Sequence, residues 1–188
     1  MSSLFWNDVR TEPKRRFRFE LKFSSRTLGQ GAIPVWTIKT ASKPKANVST
    51  IEHQYIDHTF KYPGRVTWND INITLVDPID PDLSYAFLDV LGASGYKFPT
   101  TASRSKLSLS KKAFADQIGS VFIDQIDENG EIIERWELIN PFITSVDFGG
   151  SLDYTSDDMN EVTVEVTYDW ARLTQTRANG RDQTAAAD

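Results

Sequence analysis

The chain has 188 residues, of which 39% are hydrophobic and 25% are charged, so it can bury a core and form one domain with extended ends. It has no cysteine, which excludes disulfides, zinc–thiolate sites and thiol nucleophiles. No apolar run approaches the roughly 20 residues of a membrane helix, and the N-terminus lacks the pattern of a secretory signal. We therefore expect a protein that is made in a cytoplasm-like compartment.

The charges are distributed unevenly around a formal net charge of −5. Residues 1–47 hold ten Lys and Arg against three acidic residues, whereas in 121–170 only Arg135 opposes thirteen carboxylates. An acidic chain disfavours nucleic acid as a bound ligand. Two explanations stay open: the basic and acidic ends meet across a subunit interface, or they are two solvated faces of a monomer.

Alternation of apolar and polar residues predicts strands in the first half of the chain. After an N-terminal arm (1–16), the expected segments are strands at 16–23, 34–40 and 65–76, and an extended segment at 49–62 that ends in a turn at Pro63–Gly64. Ile71, Ile73 and Leu75 share one face of the last of these strands. We expect that face to be buried.

One helix is predicted at about 81–91, because apolar residues repeat there at helical spacing. Asp80 is expected to be its N-cap, and Gly92 is expected to end it in a left-handed conformation. A long loop follows at about 93–117. Within it, residues 111–118 favour a single helical turn.

The second half of the chain is also rich in predicted strands. Asn129–Gly130 between two apolar segments predicts a β-hairpin of strands 121–126 and 132–139. Further strands are expected at 142–148 and 161–169, the latter with regular alternation. Residues 171–188 show no periodicity and are expected to be a flexible tail. The fold class is therefore mainly β with one α-helix, in a domain at 17–170.

The sequence offers no strong catalytic or metal signature. His53 and His58 lie five residues apart in a predicted strand, which places them on opposite faces and disfavours a shared metal. The acidic residues at 124–131 lack the spacing of a calcium-binding loop and are better explained by a hairpin tip. No phosphate-binding glycine loop and no GxSxG motif occurs. We expect no enzyme activity, no metal and no cofactor.

The five tryptophans could serve a sugar-binding face, but aromatic residues in or beside strands usually fill a core. Trp6 differs, because it lies with Leu4 and Phe5 in a polar arm that has no local core. It is expected either to anchor on another subunit or to fold back on its own domain.

Three segments carry a family resemblance: RRFRFEL within Arg15–Leu21, the stretch Ile51–Pro78, and the stretch Arg135–Trp170. The order of strands, one helix, a W-x-L strand, a Leu-Asp-Tyr turn and a final strand ending in Tyr168–Asp169 resembles the tail tube proteins of contractile-tailed bacteriophages. That family is related to the inner-tube proteins of type VI secretion. The resemblance covers roughly residues 14–170.

The resemblance implies a β-sandwich or barrel-like subunit that forms six-membered rings, which stack into a tube inside a contractile sheath. Each subunit would add four strands to one barrel. Roughly 24 strands at ~4.8 Å spacing and ~40° tilt leave a bore of about 38 Å, wide enough for duplex DNA. The implied protein is part of a virion and is assembled in the host cytoplasm. Its implied partners are copies of itself, the tail sheath protein, and the baseplate and tail terminator proteins, while DNA passes without specific binding.

The resemblance also implies roles for polar residues. Carboxylates that face the lumen would repel phosphates, so that DNA slides without sticking. The residues expected to face the lumen are Glu161, Glu165, Asp169, Asp70 and Asn72. The residues expected to contact other subunits or rings are Trp6, Lys14, Arg15, Arg16, Arg104, Lys106, Lys111 and Lys112.

Three other functions compete with a tail tube protein. A baseplate tube-initiator or hub protein would share the fold and form a single ring without unlimited stacking. A carbohydrate-binding β-sandwich would be a monomer with exposed aromatic residues. An enzyme would need a clustered acid–base pair, which the sequence does not reveal.

Overall fold

The computed structural model describes residues 13–25, 33–101, 103–104, 108–176 and 182–185. Within these ranges the chain forms three β-sheets, two α-helices and one short 3-10 helix at Val35–Thr37. The strands are β1 Phe19–Phe23, β2 Ile38–Ala41, β3 Lys45–Tyr55, β4 His58–Asn69, β5 Ile71–Val76, β6 Val121–Ile126, β7 Ile132–Ile139, β8 Phe142–Asp147, β9 Glu161–Thr167, β10 Trp170–Thr176 and β11 Asp182–Ala185. The helices are α1 Leu83–Ala93 and α2 Lys111–Ile118.

A four-stranded antiparallel sheet, in the order β2-β5-β9-β8, supplies one part of the core. Its two central strands bury their inner face completely. Six side chains with no exposed surface form three cross-strand pairs there: Ile71 with Val166, Ile73 with Val164, and Leu75 with Val162. The predicted burial of Ile71, Ile73 and Leu75 is confirmed, because strict alternation leaves one face of each strand entirely apolar.

A five-stranded sheet, in the order β1-β6-β7-β10-β11, contributes to the same core. Its buried residues include Leu21, Val121 and Leu138, and both helices add large side chains such as Phe87 of α1 and Phe114 of α2. One continuous apolar cluster thus joins both sheets and both helices. This sandwich-like arrangement buries the inner faces of the two sheets against each other and the helices.

The hairpin predicted around Asn129–Gly130 is confirmed, with β6 and β7 on either side. Gly130 has a φ of +82°, a conformation that glycine adopts without steric cost. The Asp127 carboxylate accepts hydrogen bonds of 2.8 Å from the backbone N–H groups of Asn129 and Glu131. The turn is therefore stabilised by its own sequence.

The sheet continues beyond the point where the sequence predicted a flexible tail. β10 pairs with β7 from Trp170, opposite Ile139, to Thr174, opposite Arg135, and β11 pairs with β10. Ala171 packs against the core from this strand. Too few apolar residues occur in β10 to produce a recognisable alternation, so pairing with β7 defines this strand.

The predicted start of α1 was two residues too early. The helix begins at Leu83, and the carboxylate of Asp82, rather than that of Asp80, accepts a hydrogen bond of 2.8 Å from the Tyr85 backbone N–H. The Asp77 carboxylate accepts a further bond of 3.1 Å from the Leu83 N–H. Both Asp80 and Asp82 are suitable caps by residue type, so the tertiary contact with Asp77 distinguishes them.

The predicted end of α1 was also wrong. The helix passes through Gly92 to Ala93, and the positive φ, +115°, occurs at Gly95. A side chain at Gly95 would meet the Ser108 carbonyl oxygen at 2.7 Å, so both backbone conformation and space favour glycine there. α2 is a second helix where the sequence indicated only a helical turn.

β3 and β4 form a separate two-stranded hairpin, which turns at Ile56–Asp57. The predicted turn at Pro63–Gly64 was wrong, because this pair lies inside β4 opposite an irregularity in β3. A side chain at Gly64 would meet the Ser49 hydroxyl oxygen, which instead accepts a hydrogen bond of 2.9 Å from the Arg65 N–H. Pro and Gly here mark a β-bulge.

The sheets of the described subunit are not closed into a barrel. In the four-stranded sheet β2 and β8 are the edges. The predicted mainly-β class is therefore confirmed, with a sandwich-like core and open sheet edges. An open edge presents unpaired backbone groups, which is relevant to assembly.

Candidate assembly surfaces

The outer face of the four-stranded sheet collects three of the five residues predicted to face a lumen. Glu161 and Glu165 of β9 point away from the buried valines, and Asn72 of β5 lies directly opposite Glu165. The Lys39 ammonium of β2 forms an ion pair with the Glu161 carboxylate. Glu165 has no ion pair among the described residues, so it adds negative charge to this face.

Hydroxyl groups fill much of the same face. The side-chain oxygens of Thr74 and Thr163 lie 3.5 Å apart across β5 and β9, and those of Thr144 and Thr167 lie 3.4 Å apart across β8 and β9. The face is therefore polar and mildly acidic rather than densely charged. The alternation of β9 indicated its outward threonines, whereas those of neighbouring strands depend on the register.

The other two residues predicted to face the lumen lie elsewhere. Asp70 lies between β4 and β5, and Asp169 lies where the chain crosses from β9 to β10. The Asp169 carboxylate accepts hydrogen bonds of 2.6 Å from the Lys111 ammonium and 2.9 Å from the Asn140 amide. The Lys111 hydrogen bond, followed by that of Asn140, lowers the pKa of Asp169. Asp169 thus connects the crossover to α2.

The predicted contact residues that the structure describes are all exposed. Lys14 and Lys111 form ion pairs within the chain, with Glu134 and Asp169. Arg16, Arg104 and Lys112 are exposed, and Arg15 is exposed as well, with its carbonyl accepting a hydrogen bond from the Gln125 amide. Trp6 and Lys106 lie outside the described residues.

The sequence did not predict a polar cluster around the buried carboxylate of Glu134 on β7. The Glu134 carboxylate receives the Lys14 ammonium, the Lys43 ammonium at 2.6 Å and the Trp136 indole N–H at 2.7 Å. Burial alone would raise the pKa of Glu134, but these hydrogen bonds outweigh it and lower the pKa to about 2. The neighbouring Gln125 amide donates a bond of 2.8 Å to the Arg15 carbonyl. This cluster fixes residues 14–15 against the five-stranded sheet.

A second buried carboxylate lies on the outer face of the same sheet. The Asp124 side chain has no exposed surface and accepts two hydrogen bonds of 2.7 Å from the Arg135 guanidinium. The Lys22 ammonium lies 3.2 Å from its other side. Burial would raise the pKa of Asp124, but the hydrogen bonds from Arg135 and Lys22 lower it.

These pairs explain the uneven charge of the sequence. Four lysines of the basic N-terminal part pair with carboxylates of the acidic C-terminal part inside one subunit: Lys14 and Lys43 with Glu134, Lys22 with Asp124, and Lys39 with Glu161. Part of the complementarity between the two ends is therefore intramolecular.

The β3–β4 hairpin presents an uncovered apolar face. Three successive cross-strand pairs lie on one side of it: Ile51 with Tyr62, His53 with Phe60, and Tyr55 with His58. The other side is polar and includes an ion pair of 3.3 Å between Lys61 and Glu52. The side chains of Ile51, Tyr55, Phe60 and Tyr62 are 50–62% exposed. The sequence predicted an extended aromatic segment here but not its projection from the core.

The predicted placement of His53 and His58 on opposite faces of one strand was wrong. His53 lies in β3 and His58 in β4, so the turn between them brings both to the same face as diagonal neighbours. Among the described residues, no group of three or more His, Asp or Glu side chains could hold a metal ion. None of the described helices is long and apolar enough to cross a membrane.

No family model and no curated protein matches the sequence, but solved structures match the fold. A chain of the PVC extracellular contractile injection system, from its extended sheath–tube complex, has a TM-score of 0.62 at 18% identity, covering 93% of this chain and 100% of that chain. The chain has the fold of this component of a contractile injection system. A chain of the anti-feeding prophage baseplate matches the same fold with a TM-score of 0.61 at 15% identity, covering 87% of this chain and 96% of that chain. A chain of the anti-feeding prophage tube terminating cap matches the fold with a TM-score of 0.60 at 19% identity, covering 93% of this chain and 100% of that chain.

Proposed function

We propose that the chain is the subunit of an inner tail tube, in which six copies form a ring and the rings stack inside a contractile sheath. The observation that carries this proposal is the apolar face of the β3–β4 hairpin. An isolated two-stranded hairpin is marginally stable in water, and a contiguous apolar surface of this kind marks an interaction site. A neighbouring subunit that covers Ile51, Phe60 and Tyr62 would supply the missing core.

The open four-stranded sheet supports the same arrangement. Six copies of a sheet in the order β2-β5-β9-β8 supply the strands of one closed barrel, and closure removes the free edges at β2 and β8. The buried face of each sheet would then point outward to its own core. The face that carries Asn72, Glu161 and Glu165 would line the lumen.

The proposed lumen suits the passage of duplex DNA. Threonine hydroxyls and the amide of Asn72 are uncharged, and Glu165 repeated six times in each ring gives a negative wall that repels phosphates. Lysine or arginine on this wall would instead bind the backbone and retard the DNA. Lys39, the cation on this face, is paired with Glu161.

The proposed partners follow from the assemblies in which the fold occurs. The solved neighbours belong to a sheath–tube complex, a baseplate and a tube terminating cap. We infer corresponding partners for this chain: a tail sheath protein, baseplate proteins and a tail terminator. The role is structural rather than enzymatic, and the site of action is a virion tail assembled in the host cytoplasm. Arg16, Arg104 and Lys112 are the exposed basic residues that we assign to contacts between rings.

A second candidate is a ring protein of a baseplate or cap, which shares the fold but does not stack without limit. The matches to the anti-feeding prophage baseplate and cap favour it specifically. Both candidates require six-membered rings. They differ in whether one ring binds the next identical ring.

Negative-stain electron microscopy with light scattering tests the proposal on the purified full chain. We expect hollow tubes or stacked rings, whereas rings that stay single even beside preformed tubes would indicate the second candidate. Phe60→Asp, on the apolar face of the hairpin, should abolish ring formation. Thr59→Asp, on the polar face next to it, is the matched control and should assemble like the wild type. A wild-type chain that stays monomeric with and without preformed tubes, or tubes of normal abundance from Phe60→Asp, would contradict the proposal.

A further inference from the structure

A groove runs along the exposed side of α1. Tyr85, Leu88 and Gly92 line it from the helix at helical spacing, and Tyr96 and Phe98 line it from the segment that follows. The rings of Tyr96 and Phe98 meet edge to face with centroids 5.6 Å apart. The groove encloses about 260 Å³, and Tyr85 and Phe98 remain 70% and 59% exposed. Such a cavity with aromatic walls suits a large apolar side chain.

Two cations border this groove. Lys97 and Arg104 are part of its lining, together with one carboxylate, that of Asp89. Arg104 donates a weak hydrogen bond of 3.4 Å to the Thr100 hydroxyl. Within the described part of the chain, neither cation forms an ion pair, unlike Lys14, which is bound to a buried carboxylate. The groove therefore favours an occupant that is both apolar and acidic.

One segment of the same chain has this combination. The loop 148–160, between β8 and β9, projects Leu152, Tyr154 and Met159 into solvent, with exposures of 92%, 109% and 70%. The loop contains three carboxylates, those of Asp153, Asp157 and Asp158, and no Lys or Arg. Exposed apolar side chains flanked by these acids are the chemical complement of the groove.

The loop is anchored beside the first turn of α1, whereas the groove runs along the helix and continues past its C-terminal end. The Asn160 carbonyl accepts a hydrogen bond of 3.0 Å from the Asp77 N–H, and the Asp77 carboxylate binds the first turn of α1 through Leu83 and Ser84. Tyr96 and Phe98 follow the other end of the helix, roughly 16 Å away for a helix of this length. Two different, complementary surfaces on one molecule favour head-to-tail contacts between copies.

We propose that the loop 148–160 of one subunit docks into the α1 groove of a second copy. Leu152 and Tyr154 would enter the cavity, and Asp153 and Asp157 would face Lys97 and Arg104. This contact rests on the proposed stacking of rings, for which it supplies the repeated head-to-tail interface. It assigns the stacking contact to α1 rather than to the N-terminal cations already held by Glu134.

Disulfide cross-linking tests the contact cleanly, because the chain has no cysteine of its own. Asp89→Cys places a thiol at the groove and Ser151→Cys places one beside Leu152, and both variants keep the apolar anchors. A mild thiol oxidant should yield a covalent dimer when the two variants are mixed, and none from either variant alone. Asp116→Cys, on the exposed side of α2, replaces Asp89→Cys in the control mixture and should give no dimer.

The outcomes separate this contact from the tube itself. If tubes are visible by electron microscopy but the mixture gives no cross-link, the docking contact is overturned and the proposed tube function is retained. A cross-link that persists when Lys97→Glu and Arg104→Glu are added to the groove variant would overturn the charge pairing. If the mixed variants cross-link although the wild-type chain forms neither rings nor tubes, the docking contact is supported and the proposed function is rejected. If the thiol of the Asp89→Cys variant is protected from a thiol reagent only after sheath protein is added, the groove belongs to the sheath and the proposal is overturned.

Discussion

Strand β9 and the β3–β4 hairpin show the same local pattern with opposite burial. In β9 the valines at every second position have no exposed surface, whereas Ile51, Phe60 and Tyr62 on one face of the hairpin are at least half exposed. Both segments alternate apolar and polar residues along an extended backbone. Alternation thus identifies an apolar face but does not say whether the same subunit or another one covers it.

The largest expected effect concerns the face that the subunit itself covers. Val164→Asp places a charge in the completely buried pair with Ile73, and we expect it to lower the free energy of unfolding by about 4 kcal/mol or more. Phe60→Asp on the hairpin should change that free energy by less than about 0.5 kcal/mol while it abolishes assembly. Urea unfolding followed by tryptophan fluorescence measures both. A strongly destabilised Phe60→Asp monomer would show that the hairpin packs within its own subunit.

A smaller effect is expected from the polar contacts that fix residues 14–15 and 43 to β7. The pKa of Glu134 is about 2 in the folded chain against an ordinary value of 4.5, so the folded state binds fewer protons below pH 4.5. This stabilisation is present above pH 4.5 and is lost as the pH falls toward 2. Glu134→Gln should lower the free energy of unfolding by about 2 kcal/mol at pH 7 and remove most of its dependence on pH in this range. Urea unfolding at a series of pH values measures it.

The matched control for this prediction is Glu128→Gln. The exposed Glu128 carboxylate lies 3.4 Å from the Arg18 guanidinium. Its replacement should therefore lower the free energy of unfolding by less than about 1 kcal/mol. If both variants lose the same stability and keep the same acid-dependent slope, Glu134 does not hold the N-terminal segment in place.

The smallest effect on folding is expected on the outer side of β9. Glu165→Lys should leave the free energy of unfolding within about 0.5 kcal/mol of the wild type, since this side chain points away from the core. Assembled tubes of the variant should retain duplex DNA in a sedimentation assay and should retain less of it at higher salt, whereas wild-type tubes should release the DNA. Glu131→Lys, at an exposed turn, makes the same charge change away from the proposed lumen. Equal DNA retention by both variants would contradict the lumen assignment.

The correct sequence predictions share a local cause. The alternation of β9, the burial of Ile71, Ile73 and Leu75, and the Asn129–Gly130 hairpin each depend on residues within a few positions of one another. The fold-level resemblance to tube proteins was correct for the same reason, since it rests on the order of such segments. The turn at Pro63–Gly64 failed because a β-bulge and a turn use the same residue types.

The missed features depend on residues distant in sequence. Lys14 and Glu134 lie 120 positions apart, and Lys22 and Asp124 lie 102 positions apart. The net charges of the two ends were counted correctly, but the sequence left open whether they meet inside one subunit or between two. Folding brings four such pairs together in one molecule.

The sequence by itself determined most of the strands before Trp170, which faces are apolar, and that the chain has no cysteine chemistry, because these properties depend on residue type and short-range spacing. The tertiary structure decided which apolar faces are covered and which charges are neutralised. Burial and ion pairing depend on what lies across a sheet or groove, and only folding brings those residues together. Among the described residues, the uncovered face of the β3–β4 hairpin and the α1 groove with Lys97 and Arg104 are the surfaces that this folding leaves for other molecules.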